Sequence, residues 1–288
     1  MLLALSWIGS SLLTAEHGNQ PPMEAIQNDA IATVIAPIMD TQPDDAFTLT
    51  FEDELPEPTT PIDHTHAQHA PRHILSLIID DVGYNMQALR RLIALPYAIT
   101  VSILPDSPYA KEAAQMAYQH GIPVMLHMPM ETTNPKYQKK MEAFYLHTAM
   151  SKPVFTQVFE DALAKVPHVI GVNNHMGSAL TADKKSMQWL MELCKKHGLF
   201  FIDSRTSAQS VAAKVAQDAG IPWEARDIFL DNSIQEDDLQ QAWDSAMGCI
   251  KRNDACIMLA HPHPESITFL EKQTLNPQIF VSITSVLR

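Results

Sequence analysis

The chain has 288 residues, 46% of them hydrophobic and 18% charged. That is enough apolar material for one large or two small domains, and it excludes a wholly disordered chain, a disulfide-stapled miniprotein and a multi-span membrane protein. The formal net charge is −13, yet residues 1–71 hold 11 of the 33 Asp and Glu and none of the 20 Lys and Arg, so the remainder is close to neutral; with no clustered basic surface, nucleic-acid binding is excluded.

Residues 2–15 (LLALSWIGSSLLTA) form an apolar run broken only by small polar residues. A bilayer span takes about 20 residues, so this run has the length of a signal-peptide core, with Leu13-Thr14-Ala15 as a cleavage site but no basic leader before it. The expectation is export to the periplasm or beyond; the alternative is a frayed apolar N-terminus. Residues 16–71 are rich in Pro, Asp, Glu, Thr and Gln and cannot bury enough apolar surface to offset ordering, so they read as a disordered, semi-stiff linker. His64, His66, His69 and His73 cluster at its end, but prolines flank them and no scaffold surrounds them, so a solvated His-rich stretch is expected.

From residue 72 to 288 the pattern changes to one folded domain. Apolar runs at 74–79, 98–103, 123–127, 169–173, 199–203, 256–260 and 279–283, with a weaker one at 227–230, predict strands. Amphipathic stretches near 85–95, 107–120, 151–166, 183–197, 207–219, 235–252 and 264–273 predict helices between them. Unbroken apolar strands alternating with helices imply a parallel sheet covered on both faces, and this number of units favours an irregular seven- or eight-stranded (β/α) barrel over an open doubly wound sheet. No G-x-G-x-x-G or G-x₄-G-K-[ST] follows any strand, so nucleotide chemistry loses its usual support. Cys194, Cys249 and Cys256 are odd in number and lack a C-x-x-C spacing; buried free thiols are the expectation.

Polar chemistry collects where the strands end. Asp80-Asp81, His127, Asn173-Asn174-His175-Met176-Gly177-Ser178, Asp203-Ser204 and His261-Pro262-His263 each follow an apolar run, the place where parallel α/β folds carry active sites. Singly, each has a structural alternative: a helix cap for Asp81 or Asp203, a half-buried histidine, a turn at Asn173-Asn174. Together they supply a carboxylate and two imidazoles, the ligand set of a catalytic zinc-type site with an open position, and leave an Asp and a His for acid–base work.

The segments IIDDVG (78–83), LHMPME (126–131), GVNNHMGS (171–178), DSRTS (203–207), RDIFLDN (226–232) and AHPHP (260–264) resemble the divergent polysaccharide deacetylase family, bacterial and largely exported proteins related to the chitin and peptidoglycan deacetylases. The resemblance implies the irregular barrel, with Asp80 as catalytic base, Asp81 as a metal ligand and His261 as the acid that protonates the leaving amine. The related deacetylases carry their metal histidines in one H-x₃-H motif, which the body lacks; here His127 and His175, from separate strands, take that place. Asn174, Ser178, Asp203, Arg226 and Asp231 fall in the same motifs and are assigned to substrate binding or to orienting the base.

The expected activity is removal of acetyl groups from an N-acetylated envelope or extracellular polysaccharide, with a divalent transition metal, zinc by default, although nickel, cobalt or manganese suit the same ligands. A non-catalytic module binding an envelope glycan or a cell-envelope protein partner is the alternative, and hydrolysis of another amide or ester is a third reading.

Overall fold

The computed structural model describes residues 73–138, 144–274 and 276–288. The apolar leader, the acidic linker and His64, His66 and His69 lie outside the described residues. The first half of the fold runs β1 (Ile74–Val82), α1 (Met86–Ile93), β2 (Thr100–Ile103), α2 (Ala110–Gln119), β3 (Val124–Met130), α3 (Pro135–Gln138) and α4 (Lys152–Lys165). It continues with β4 (Val169–Met176), α5 (Lys184–His197), β5 (Phe200–Asp203), α6 (Ala212–Ala219) and β6 (Trp223–Ala225). The last elements are β7 (Ile228–Phe229), α7 (Glu236–Arg252), β8 (Ala255–Ala260) and α8 (Pro264–Lys272). Local chemistry sets several boundaries: Asn85 Oδ1 accepts the first amides of α1, Asp183 Oδ1 accepts the Ser186 amide of α5, and left-handed Gly198 and Gly220 end α5 and α6.

All strand pairs are parallel, in the order β6-β5-β4-β3-β2-β1-β8-β7. Only Arg226 and Asp227 separate β6 from β7, yet these strands form opposite edges of the sheet. Three Cα steps of about 3.8 Å each cannot bridge the edges of a flat eight-stranded sheet, so the sheet has to curl. One extended segment pairs with β5 in its first half and with β8 in its second. The result is the irregular, incompletely closed (β/α) barrel that the sequence predicts.

Side-chain alternation splits the core in two. Leu75, Leu77, Ile79, Val101, Leu126 and Phe201 face the helices. Ile78, Met125, Phe200, Ile202, Ile257 and Leu259 fill the interior, together with Ile283 and Val286 from the C-terminal segment. Gly171 is required there, because a Cβ on it would fall 2.2 Å from the Phe200 ring.

Three expectations are corrected. Residues 279–283 are not a strand: 3₁₀ turns at Pro277–Ile279 and Ile283–Ser285 flank a single bridge from Phe280 to Leu75. The run is apolar because it serves both cores, Phe280 stacking on Tyr97 outside and Ile283 entering the barrel from its N-terminal end. Strand β6 is absent from the sequence reading because Trp-Glu-Ala has no apolar run. Cys249 and Cys256 are joined in a disulfide rather than free, since the tight α7–β8 link brings their Cα atoms to 6.2 Å, while Cys194 is a buried thiol.

The plug carries a stability prediction. Ile283→Ala, which empties a fully buried site, lowers the unfolding free energy by about 2–5 kcal/mol in urea titration, whereas Ser285→Ala, exposed two residues on, changes it by less than about 0.5 kcal/mol.

Candidate metal centre

The inner face of the barrel becomes polar at its C-terminal mouth in a regular way. Two residues beyond an interior apolar side chain stands a site residue: Ile78 then Asp80, Met125 then His127, Ile202 then Ser204, Leu259 then His261. On β4 the same face carries Gly171, Asn173 and His175. Asp81 breaks the rule. Strict alternation turns it away from the mouth, but its φ of +53° and the register shift between Ile79 and Val82 rotate it back, so that consecutive aspartates reach one site.

Asp81 Oδ1 lies 3.0 Å from His175 Nδ1 and 3.2 Å from His127 Nε2, and the two ring nitrogens are 3.1 Å apart. All three side chains are buried or nearly so, and Asp81 Oδ1 lacks a well-formed hydrogen bond. A proton on either ring satisfies one edge of this triangle and leaves other lone pairs facing each other. A cation satisfies all three. Donors at 2.0–2.1 Å from a tetrahedral zinc are about 3.3 Å apart, so the donor set and its spacing fit a divalent metal. Burial works against the Asp81 carboxylate, but His175, His127 and His261 outweigh it and hold its pKa well below the usual range. Burial likewise opposes charge on His127, and Asp80 and Asp81 overcome it, raising its pKa.

Asp80 and His261 flank the triangle. Asp80 Oδ1 accepts from Asn173 Nδ2 at 2.8 Å, and Asn173 Oδ1 lies 2.8 Å from His127 Nδ1. On the far side His261 Nε2 is 3.9 Å from Asp81 Oδ2. Its Nδ1 lies 3.0 Å from Asp231 Oδ1, while Asp231 Oδ2 accepts from the His261 amide at 2.7 Å and from Ser266 Oγ at 2.6 Å. Burial alone favours neutral His261; the Asp231 carboxylate, aided by Asp81 and Asp80, reverses this and lifts the pKa to about 9.

The structure thus brings together Asp80, Asp81, His127, His175 and His261, with Asp231 behind the last. The other residues picked from the sequence bond to the surrounding loops. Asn174 donates to the Met176 carbonyl and accepts the Ser204 amide. Ser178 Oγ accepts the Thr133 amide. Asp203 accepts the Arg205 amide and Ser210 Oγ, and Arg226 donates to the carbonyls of Ser204 and Arg205 beneath the mouth. Sequence reading named Asn173 only within a strand-end motif, without a role, and passed over Ser102 and Ser266. Asn173 was open to detection, since a residue two before His175 on a strand shares its face; Ser266, on α8, carried no such signal.

The model of the family described as divergent polysaccharide deacetylase matches residues 77–284. The chain is 35% identical over 202 residues to the uncharacterized protein YibQ of Escherichia coli, covering 70% of this chain and 62% of that protein. It is 38% identical over 197 residues to an uncharacterized protein of Haemophilus influenzae, covering 68% of this chain and 69% of the relative. The chain therefore spans less than two thirds of the E. coli relative. A crystal structure of an uncharacterized protein from Agrobacterium tumefaciens has the same fold, with a TM-score of 0.66 at 22% identity over 72% of this chain and 84% of that one. With the family match running through the barrel and every strand end that forms the site, the chain belongs to the divergent polysaccharide deacetylase family.

Proposed function

We propose that this protein is an exported, zinc-dependent hydrolase that removes acetyl groups from an N-acetylated glycan of the cell envelope or extracellular matrix. The observation that carries the reading is the Asp81–His127–His175 triangle with a carboxylate on one flank and a carboxylate-braced imidazole on the other. Asp81, His127 and His175 hold the metal, which when bound supplies a Lewis acid and lowers the pKa of water. Asp80 takes the proton from the attacking water as the C–O bond forms at the acetamide carbon. His261 Nε2 gives a proton to the sugar nitrogen as the C–N bond breaks, so water and amide become acetate and amine. The Asp231 carboxylate behind it raises the pKa of His261, which favours the protonated form that an acid in this step requires. Asp231 holds the opposite ring nitrogen and fixes the direction in which Nε2 points.

A non-catalytic glycan- or protein-binding module draws support from Tyr84 and Tyr109, exposed on neighbouring loops at the mouth that are tied by the Tyr109 amide to the Gly83 carbonyl. That reading leaves the flanking acid and base without a purpose, so the hydrolase reading is preferred.

Two measurements test the proposal. Elemental analysis of untagged protein should find about one equivalent of zinc, lost in Asp81→Ala and His175→Ala; unchanged metal in those variants would falsify the assignment of ligands. His261→Gln should keep the metal and lose about 10²–10⁴-fold in kcat for acetate release. A metal-loaded wild-type protein that releases no acetate from any N-acetylated glycan would leave the binding module as the better reading.

A further inference from the structure

We propose that Asn173 is a positioning residue with two hands, one setting the tautomer of the metal ligand His127 and the other aiming the base Asp80; the second role rests on the hydrolase reading above. The side chain is fully buried and makes four polar contacts. Its Oδ1 lies 2.8 Å from His127 Nδ1 and 2.5 Å from Ser102 Oγ, and its Nδ2 lies 2.8 Å from Asp80 Oδ1 and 3.3 Å from Ser204 Oγ. The orientation of the amide follows from its neighbours. A carboxylate only accepts, so the amide must present Nδ2 to Asp80 and Oδ1 to His127 and Ser102. An amide oxygen also only accepts, so His127 Nδ1 must carry the proton. In the neutral ring Nε2 is then left as a lone pair facing Asp81 and His175, the form a metal ligand needs.

The other hand acts on the base. With Oδ1 of Asp80 tied to Nδ2, the carboxylate is fixed in rotation and its second oxygen is left for the water. Asn173 thus couples the two halves of the site through one planar group on β4. Ser102, on the inner face of β2, holds the amide in this orientation by donating to the oxygen that also receives His127. Neither residue touches the three ligand atoms that face one another, so both act through others.

The test separates the two hands. In Asn173→Asp one oxygen still accepts from His127 and Ser102, while the other replaces the donor to Asp80 with a repelling charge. Asn173→Ala removes both contacts. With the full-length protein, zinc affinity is measured by competition with a chromophoric chelator, and kcat and KM by acetate release from an N-acetylated chitooligosaccharide. Asn173→Ala should weaken zinc about 10–100-fold. Asn173→Asp should hold zinc within about threefold of wild type yet lose about 100-fold or more in kcat with KM little changed, the scale of a general base. Ser102→Ala, a smaller change, should shift both quantities by several-fold and covers the case in which Asn173→Ala does not fold. Zinc affinity unchanged in both Asn173→Ala and Ser102→Ala, or Asn173→Asp losing zinc as fully as Asn173→Ala, would overturn the proposal. If wild type holds zinc but turns over no glycan, the hydrolase reading fails, and the zinc affinities still decide whether Asn173 sets the tautomer of His127.

Discussion

A buried carboxylate oxygen facing two imidazole nitrogens at 3.0 and 3.2 Å is an arrangement that a chain keeps only where its surroundings leave no alternative. Burying a charge without full hydrogen bonding costs several kcal/mol, and Asp81 adds a left-handed backbone, a conformation costing of order 1–3 kcal/mol. The barrel supplies the constraint. Its strand ends are fixed by parallel pairing to both sides, and three of them break in the same way. Asp81, Met176 and Arg205, with φ of +53°, +53° and +50°, each come directly after an inward-facing site residue, Asp80, His175 or Ser204. Three of the five left-handed non-glycine residues among the described residues therefore sit at the mouth, each directly after the last inward side chain of its strand. On β1 the same turn brings in one extra carboxylate.

That mouth rests on a filled floor. Ile78, Met125, Phe200 and Leu259 pack the interior below the site, and Ile283 and Val286 reach it from the C-terminal segment. The last residue and β6 exchange backbone hydrogen bonds between Arg288 and Trp223, and the Arg288 guanidinium meets Glu224 Oε2 at 2.8 Å. An apolar floor keeps water away from the underside of His127 and Asn173. It also lowers the local dielectric, which strengthens every charge interaction above it.

Most of this could be read from the sequence, for a definable reason. Long apolar runs with an abrupt polar end, such as ILSLII before Asp80 or CIMLA before His261, carry strand, face and site together, so the succession of strands along the chain and the acid, base and ligand candidates followed, though not the order of the strands in the sheet. Where one residue serves two environments the signal failed. Phe280 and Ile283 looked like neighbours on a strand because both are apolar, yet they belong to different cores. Trp223–Ala225 pairs through its backbone with too few apolar side chains to register. The Cys249–Cys256 bond depends on the geometry of the α7–β8 link, which spacing alone does not fix. Asn173 was visible as part of a motif, but its role needs the distances to His127 and Asp80, and no pattern of residue types contains those.

The division of labour between the flanks follows from what lies behind each. His261 is backed by Asp231, whose two oxygens are spent on His261 Nδ1, the His261 amide and Ser266 Oγ. Although burial opposes its ionisation, His261 and these hydrogen bonds hold the Asp231 carboxyl below its ordinary pKa, so its negative charge stays in place to keep the imidazole protonated. Asp80 is backed by the neutral Asn173 amide, and among the described residues its one ion-pair contact is His127 Nδ1, 3.8 Å away. On the proposed hydrolase reading, the anion behind His261 suits it to hold the proton it delivers, and the neutral donor on one oxygen of Asp80 leaves the other for the proton it removes. The two groups are supplied by β1 and the end of β8, hydrogen-bonded neighbours, so on that reading a single strand pair sets the distance over which proton removal and proton delivery must be matched.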